Sequence, residues 1–137
     1  MVGTGGTSTA QTKMSRIARV VIVDDDDDVR LLLRVTLQRD SRFDVVGEAV
    51  DGFDAIETIA AVQPDLVVLD LAMPRLGGIE ALPEIKRRAP DAVVVLYTAR
   101  PDAAAHQAGL AAGAATVVEK SVIGADLLNR LVGALER

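Results

Sequence analysis

From residue 17 onward, short continuous apolar runs alternate with stretches whose apolar residues recur every three or four positions. The runs at 17 to 23, 43 to 49, 66 to 69, 92 to 98 and 115 to 119 read as strands, and the periodic stretches at 29 to 39, 55 to 62, 79 to 88, 102 to 112 and 122 to 135 as helices. Leu66 to Leu69 carries no polar residue, the mark of a strand buried on both faces in a sheet covered by helices. Five strand and helix units in strict alternation predict an α/β fold, a parallel sheet between two helical layers with right-handed crossovers.

The helical stretches differ in quality. Val29, Leu32, Leu33, Val35 and Leu37 give the first a broad apolar face, and in the last Ile123, Leu127, Leu131 and Leu135 stand at i, i+4 spacing. Pro83 lies inside the third, where a proline removes a hydrogen bond and clashes with the preceding turn, so that helix is expected to begin late or irregularly. Pro101 suits the opening of the fourth, but Gly109 and Gly113 each lower helix propensity by about 1 kcal/mol relative to Ala, which predicts the loosest helix of the five.

Parallel strands bring their C-terminal ends to one edge of the sheet, the usual address for ligands in this architecture. The first strand closes on Asp24 and Asp25, the third on Asp70, the fourth on Thr98 and the fifth on Lys120. The second ends on Glu48 and Ala49 and offers nothing to that edge. Taken singly, Asp70 reads as a turn residue, Thr98 as an ordinary β-branched strand residue and Lys120 as a surface lysine; their meeting is what points to chemistry. Asp24 to Asp28 alone reads as a solvated acidic run, with Asp26 to Asp28 assigned to the loop and the cap of the first helix. The pattern argues against a calcium loop, because Val29 stands where the turn glycine belongs and Val35 where the closing Glu belongs. The single histidine, His106, sits mid-helix and receives no catalytic role.

Composition narrows the function. The 137 residues suit one domain able to bury roughly two thirds of its unfolded surface, with a core of Val, Leu, Ile and Ala, since only two Phe and one Tyr are aromatic. A net charge of -5 argues against a nucleic-acid surface. No cysteine means no disulfide, no thiolate and no Cys-ligated zinc, and no apolar span reaches the length of about 20 residues that a membrane crossing needs. Residues 1 to 16, rich in Gly, Thr and Ser, read as a disordered tail that lacks both the apolar core of a signal peptide and a Gly-Lys-Ser/Thr phosphate loop. The ordered domain is expected over residues 17 to 137.

The fragments VVIVDD at 20 to 25, LVVLDLAMPRLGG at 66 to 78, VVVLYTA at 93 to 99 and VVEK at 117 to 120 together resemble the receiver domain of two-component response regulators. The wording around Asp70 is most similar to receivers that precede a helix-turn-helix domain. The resemblance implies a flavodoxin-like, doubly wound sheet of strand order 2-1-3-4-5 with five helices. It implies a domain that takes a phosphoryl group from a histidine kinase or phosphotransfer protein onto Asp70, catalysing only its own phosphorylation and dephosphorylation. Asp24, Asp25 and Asp70, with the Ala72 carbonyl, match the Mg²⁺ ligands, while Thr98 and Lys120 match the hydroxyl and ammonium that contact the phosphoryl group. Ala72 and Arg100 also sit where the family tunes dephosphorylation.

Elementary chemistry agrees with that assignment. Three facing carboxylates repel unless a cation is present, and Mg²⁺ favours a few carboxylates shared with a phosphate. Two departures concern the output: Val117 stands where many receivers have a switch aromatic, and Ser121 where many have proline. The implied partners are the kinase and a downstream protein or effector domain, with a homodimer through the helix-four, strand-five, helix-five face as a further arrangement. The implied location is cytoplasmic. The chain stops at Arg137, directly after the last helix, so no DNA-binding module is expected within it. Two other readings are a receiver fold used as an interaction module without phosphorylation, and a haloacid-dehalogenase-like phosphatase imitated by Asp24, Asp26, Thr98 and Lys120. The latter lacks a second acidic pair and leaves Asp70 without a task.

Overall fold

A computed structural model describes residues 16–99 and 101–137. The expected tail and Arg100 therefore lie outside the described residues, apart from Arg16, whose guanidinium meets Asp65 at 2.9 Å. The elements in chain order are β1 (Ala18–Val23), α1 (Asp27–Gln38), β2 (Phe43–Ala49), α2 (Gly52–Val62), β3 (Leu66–Leu69), α3 (Gly78–Arg88), β4 (Val93–Thr98), α4 (Ala103–Ala112), β5 (Thr116–Glu119) and α5 (Gly124–Leu135). All four strand pairings are parallel, in the order β2-β1-β3-β4-β5. The doubly wound α/β fold and its strand order are as expected.

Strand alternation sorts the core into two layers. Val21, Val23, Val67, Leu69, Val94 and Leu96 point to one face, where α2 and α3 bring Ile59, Leu82 and Ile85. Val20, Ile22, Leu66, Val68, Val95 and Tyr97 point to the other, against Leu33 and Leu37 of α1 and Leu127 and Leu131 of α5. Burying a side chain of this size stabilises the fold by about 1.5–3 kcal/mol, and β3 is buried at all four positions.

Three helix expectations need correction. α3 does not begin late: it starts at Gly78 and runs through Pro83. Pro83 is exposed, so the Ile79 carbonyl left without its helical donor lies on the solvent side, while Ala81, Leu82 and Ile85 pin the opposite face with no exposed surface. The apolar face of α1 is narrower than its composition suggests, since only Leu33 and Leu37 are buried while Leu31, Leu32 and Val35 remain exposed. On α5 the buried set is Leu127, Leu131 and Ala134, and Ile123 is an exposed cap residue.

Three of the five helices start on carboxylate caps. Asp26 accepts from the Asp28 and Val29 N–H groups, Asp51 from Asp54, and Asp102 from Ala105. Asp27 and Asp28 then lie in the first turn of α1, where their charge suits the positive end of the helix dipole.

Candidate functional site

The strand ends converge through backbone bonds that extend the sheet by one residue. The Asp24 N–H donates to the Ala49 carbonyl (3.1 Å), the Asp70 N–H to Val23 (2.9 Å) and the Lys120 N–H to Thr98 (2.8 Å). Asp24, Asp70 and Thr98 are thereby buried at one sheet edge, with Asp25 exposed beside them. One carboxylate oxygen from each of Asp24, Asp25 and Asp70 falls within 4.8 Å of the others. The Lys120 ammonium reaches in from β5, 2.8 Å from Asp24 Oδ2 and 3.5 Å from Asp70 Oδ2.

The electrostatics follow from that crowding. Burial pushes the Asp70 carboxyl up to about 6, the neighbouring Asp24 charge adds to the rise, and Lys120 and the Ala72 N–H oppose it. Burial would lower the Lys120 ammonium, but its hydrogen bond to Asp24 and the charges of both acids outweigh this and hold it above its ordinary value. One ammonium thus faces three carboxyl groups, an imbalance that a further cation relieves. Three carboxylate oxygens at this spacing suit a hard divalent ion such as Mg²⁺, which binds oxygen and keeps open positions for water or phosphate.

Several supporting contacts were not legible in the sequence. Arg30 Nη1 donates to the Asp24 carbonyl at 2.6 Å, and Glu48 holds Arg30 (3.3 Å) and Arg34 (2.5 Å). Strand β2 thus puts no group into the pocket but steadies one of its acids from behind. Gly78 packs so closely beneath β3 that a Cβ there would lie 2.1 Å from the Asp70 carbonyl oxygen. Arg75, with a left-handed φ of 65°, pairs with buried Asp51, and the Gly52 N–H donates to the Leu76 carbonyl (2.8 Å). These contacts tie the loop after Asp70 to the start of α2.

Other expected residues stand as follows. Ala72 is exposed in that loop, and its N–H approaches Asp70 Oδ1 at 3.4 Å. Asp26 is the α1 cap, its Oδ1 engaged by the Asp28 and Val29 N–H groups at 2.9 and 3.4 Å, so it does not complete an Asp-x-Asp pair with Asp24. His106 is exposed on α4.

An acidic, cation-seeking pocket with an inward lysine, at the C-terminal edge of a 2-1-3-4-5 parallel sheet, defines a phosphoacceptor signalling fold. The family model described as the response regulator receiver domain matches residues 20–132, and the chain belongs to that family. The chain is 38% identical over 109 residues to a protein-glutamate methylesterase/protein-glutamine glutaminase of Geobacter sulfurreducens, covering 79% of this chain and 30% of that protein. It is 38% identical over 119 residues to the response regulator MprA of Mycobacterium ulcerans, covering 87% of this chain and 50% of the relative. The chain thus spans about a quarter to a half of the length of the curated relatives it matches. Among solved structures, a LuxR-family two-component response regulator from Aurantimonas sp. SI85-9A1 superposes with a TM-score of 0.82 at 34% identity, over 87% of this chain and 85% of that one. The family assignment sets aside the phosphatase reading. Among the described residues no helix is long and apolar enough to cross a membrane.

Proposed function

We propose that Asp70 is the phosphoryl acceptor of this receiver, that Asp24, Asp25, Asp70 and the Ala72 carbonyl hold Mg²⁺, and that Thr98 and Lys120 contact the transferred group. The carrying observation is the approach of three carboxylate oxygens within 4.8 Å of one another, with the Lys120 ammonium 2.8 Å from one acid and 3.5 Å from the acceptor.

The acceptor Oδ of Asp70 attacks phosphorus in line while the bond from phosphorus to the donor nitrogen or oxygen breaks, leaving an acyl phosphate on Asp70. With the Asp70 carboxyl near 6, most molecules carry the nucleophilic carboxylate at neutral pH. Mg²⁺ held by Asp24, Asp25, Asp70 and the Ala72 carbonyl would supply positive charge that offsets the carboxylates and the phosphoryl group. Lys120 releases part of its hold on Asp70 to meet the incoming oxygens, and the Thr98 hydroxyl, on the neighbouring strand end, donates to another. The domain runs this chemistry only on itself. The methylesterase named among its relatives is more than three times as long as the matched segment, so that activity is not assigned to this chain.

A cytoplasmic histidine kinase or phosphotransfer protein is the donor in this reading. The receiver acts on a downstream protein or effector domain, with a homodimer through α4, β5 and α5 as one form of output. Residues 17 to 137 are the receiver unit and residues 1 to 16 a tail outside it.

Intact-mass spectrometry after incubation with acetyl phosphate tests the assignment. One added phosphoryl group that requires Mg²⁺ and is lost in Asp70→Ala is the expected result. An adduct that persists in Asp70→Ala would move the acceptor elsewhere. A folded protein that takes neither phosphoryl nor beryllofluoride would favour the interaction-module reading.

A further inference from the structure

We propose that Tyr97 is a positioning residue for Lys120, fixing the ammonium above the two buried carboxylates by gripping the backbone of the turn that follows β5. The inference rests on the phosphoryl-acceptor reading above.

A lysine head on a four-carbon stem is placed only as well as its own backbone is held. Here both peptide groups of Lys120 are tied to β4 by consecutive residues. Its N–H donates to the Thr98 carbonyl at 2.8 Å, and its carbonyl lies 3.2 Å from the Tyr97 hydroxyl. The same hydroxyl donates to the Val122 carbonyl at 2.8 Å, so one phenol bridges the two ends of the turn. Tyr97 is 2% exposed, packed in the apolar layer with Val68, Val118, Leu127 and Leu131. A phenylalanine would fill that space equally well, which leaves the hydroxyl's two carbonyl contacts as what tyrosine adds.

The turn has little else to define it. Ser121 is exposed and bonds only to exposed Glu119 (2.6 Å), and the one local backbone bond runs from the Val122 N–H to the Glu119 carbonyl (2.9 Å). A serine at this position leaves φ unrestrained where a proline would fix it. Without the phenol, the Lys120 and Val122 carbonyls lose a buried partner and the turn is free to settle differently. The ammonium then samples positions away from its 2.8 Å contact with Asp24. The backbones of the three acids are held by β1 and β3, so their mutual spacing does not depend on this turn.

A double-mutant cycle separates this role from simple stabilisation. Beryllofluoride affinity in saturating Mg²⁺, Mg²⁺ affinity alone and thermal stability are measured for wild type, Tyr97→Phe, Lys120→Met and the double variant. Tyr97→Phe is expected to weaken beryllofluoride about tenfold, short of the roughly hundredfold that a 1 Å misplacement can cost, and to change Mg²⁺ affinity less than about twofold. In the Lys120→Met background it should change beryllofluoride affinity less than about twofold. Equal losses in both backgrounds, or wild-type affinity in Tyr97→Phe, overturn the proposal. Leu131→Ala, which trims the same layer without touching the turn, is expected to melt earlier yet bind beryllofluoride as wild type does; an affinity loss matching that of Tyr97→Phe would reduce Tyr97 to a packing role. Should Tyr97→Phe fail to fold, fluorotyrosine reaches residue 97 alone, because the chain has one tyrosine. Its ¹⁹F line should move when beryllofluoride binds the wild type and stay fixed in Lys120→Met, and a line that moves alike in both overturns the coupling. Wild type that binds no beryllofluoride sinks the acceptor reading as well; wild type that binds it with no Tyr97 coupling sinks this inference only.

Discussion

The helices that follow the two central site strands are held in opposite ways. α3, behind Asp70, contains a proline six residues in, yet it buries Ala81, Leu82 and Ile85 completely. α4, behind Thr98, has no internal proline and a carboxylate cap, yet Gly109 is its only buried residue. Packing overrides Pro83 in α3 and agrees with the low propensity of Gly109 in α4, as expected where most helical stability comes from packing of an apolar face. The Asp70 side of the site therefore rests on a fixed support, while the Thr98 side rests on a helix with a single fully buried residue. If phosphorylation redistributes conformations, α4 is the element with least to lose by moving.

The contrast can be broken by truncation. Leu82→Ala is expected to cost about 2–5 kcal/mol in denaturant unfolding, whereas Leu110→Ala, 39% exposed on α4, should stay within about 0.5 kcal/mol of wild type. Comparable losses at the two positions would show that α4 is as firmly packed as α3.

The acid beside α3 adds a pH signature. The Asp70 carboxyl is raised from 3.8 to about 6 on folding, so the folded state binds more protons than the unfolded state between those values, and stability falls as pH rises through that window. The full effect, present above about pH 6, is of order 3 kcal/mol and disappears below about pH 4. Asp70→Asn should flatten that slope in metal-free protein and raise stability at neutral pH, with Mg²⁺ narrowing the gap by stabilising the wild type. A slope unchanged in Asp70→Asn would assign the titration to another group.

Gly109 sharpens the comparison further. On propensity alone Gly109→Ala would gain about 1 kcal/mol, but the new Cβ would lie 2.3 Å from Leu96 Cδ1 in a closed core, and overpacking of this kind costs about 1–3 kcal/mol. A net loss near 1 kcal/mol is expected; a gain would mean that α4 can lift off β4 without penalty. The smallest effect is kinetic, faster hydrogen exchange in 103 to 112 than in 78 to 88 under native conditions.

What the sequence revealed followed from periodicity, and what it hid followed from distance along the chain. The five strands were legible because Val and Leu runs carry their own signal, and their ends placed Asp24, Asp70, Thr98 and Lys120 along one edge. Helix beginnings were less legible: Asp27 and Gly52 open α1 and α2 in polar turns that precede any apolar repeat. Pro83 misled because the rule against it is local, whereas its tolerance depends on which side of the helix meets solvent. The exposed Leu32 and Val35 misled in the opposite sense, since apolar composition does not say how wide a stripe the sheet can cover. The grip of Tyr97 on Lys120 and the clasp between Asp51 and Arg75 join residues 23 and 24 positions apart. Neither partner carries a local pattern, so nothing short of the assembled fold displays them.

The placement of β1 between β2 and β3 has a consequence for how the chain is made. A chain leaving the ribosome presents Asp24 and Asp25 early, gains Asp70 once β3 pairs beside β1, and receives Lys120 only when β5 is complete. In a nascent chain that ends after β3, the three acids would stand together without the ammonium that faces them in the finished domain. Such an intermediate depends on counterions, and a divalent cation present during synthesis would then act on the order of assembly of the three acids.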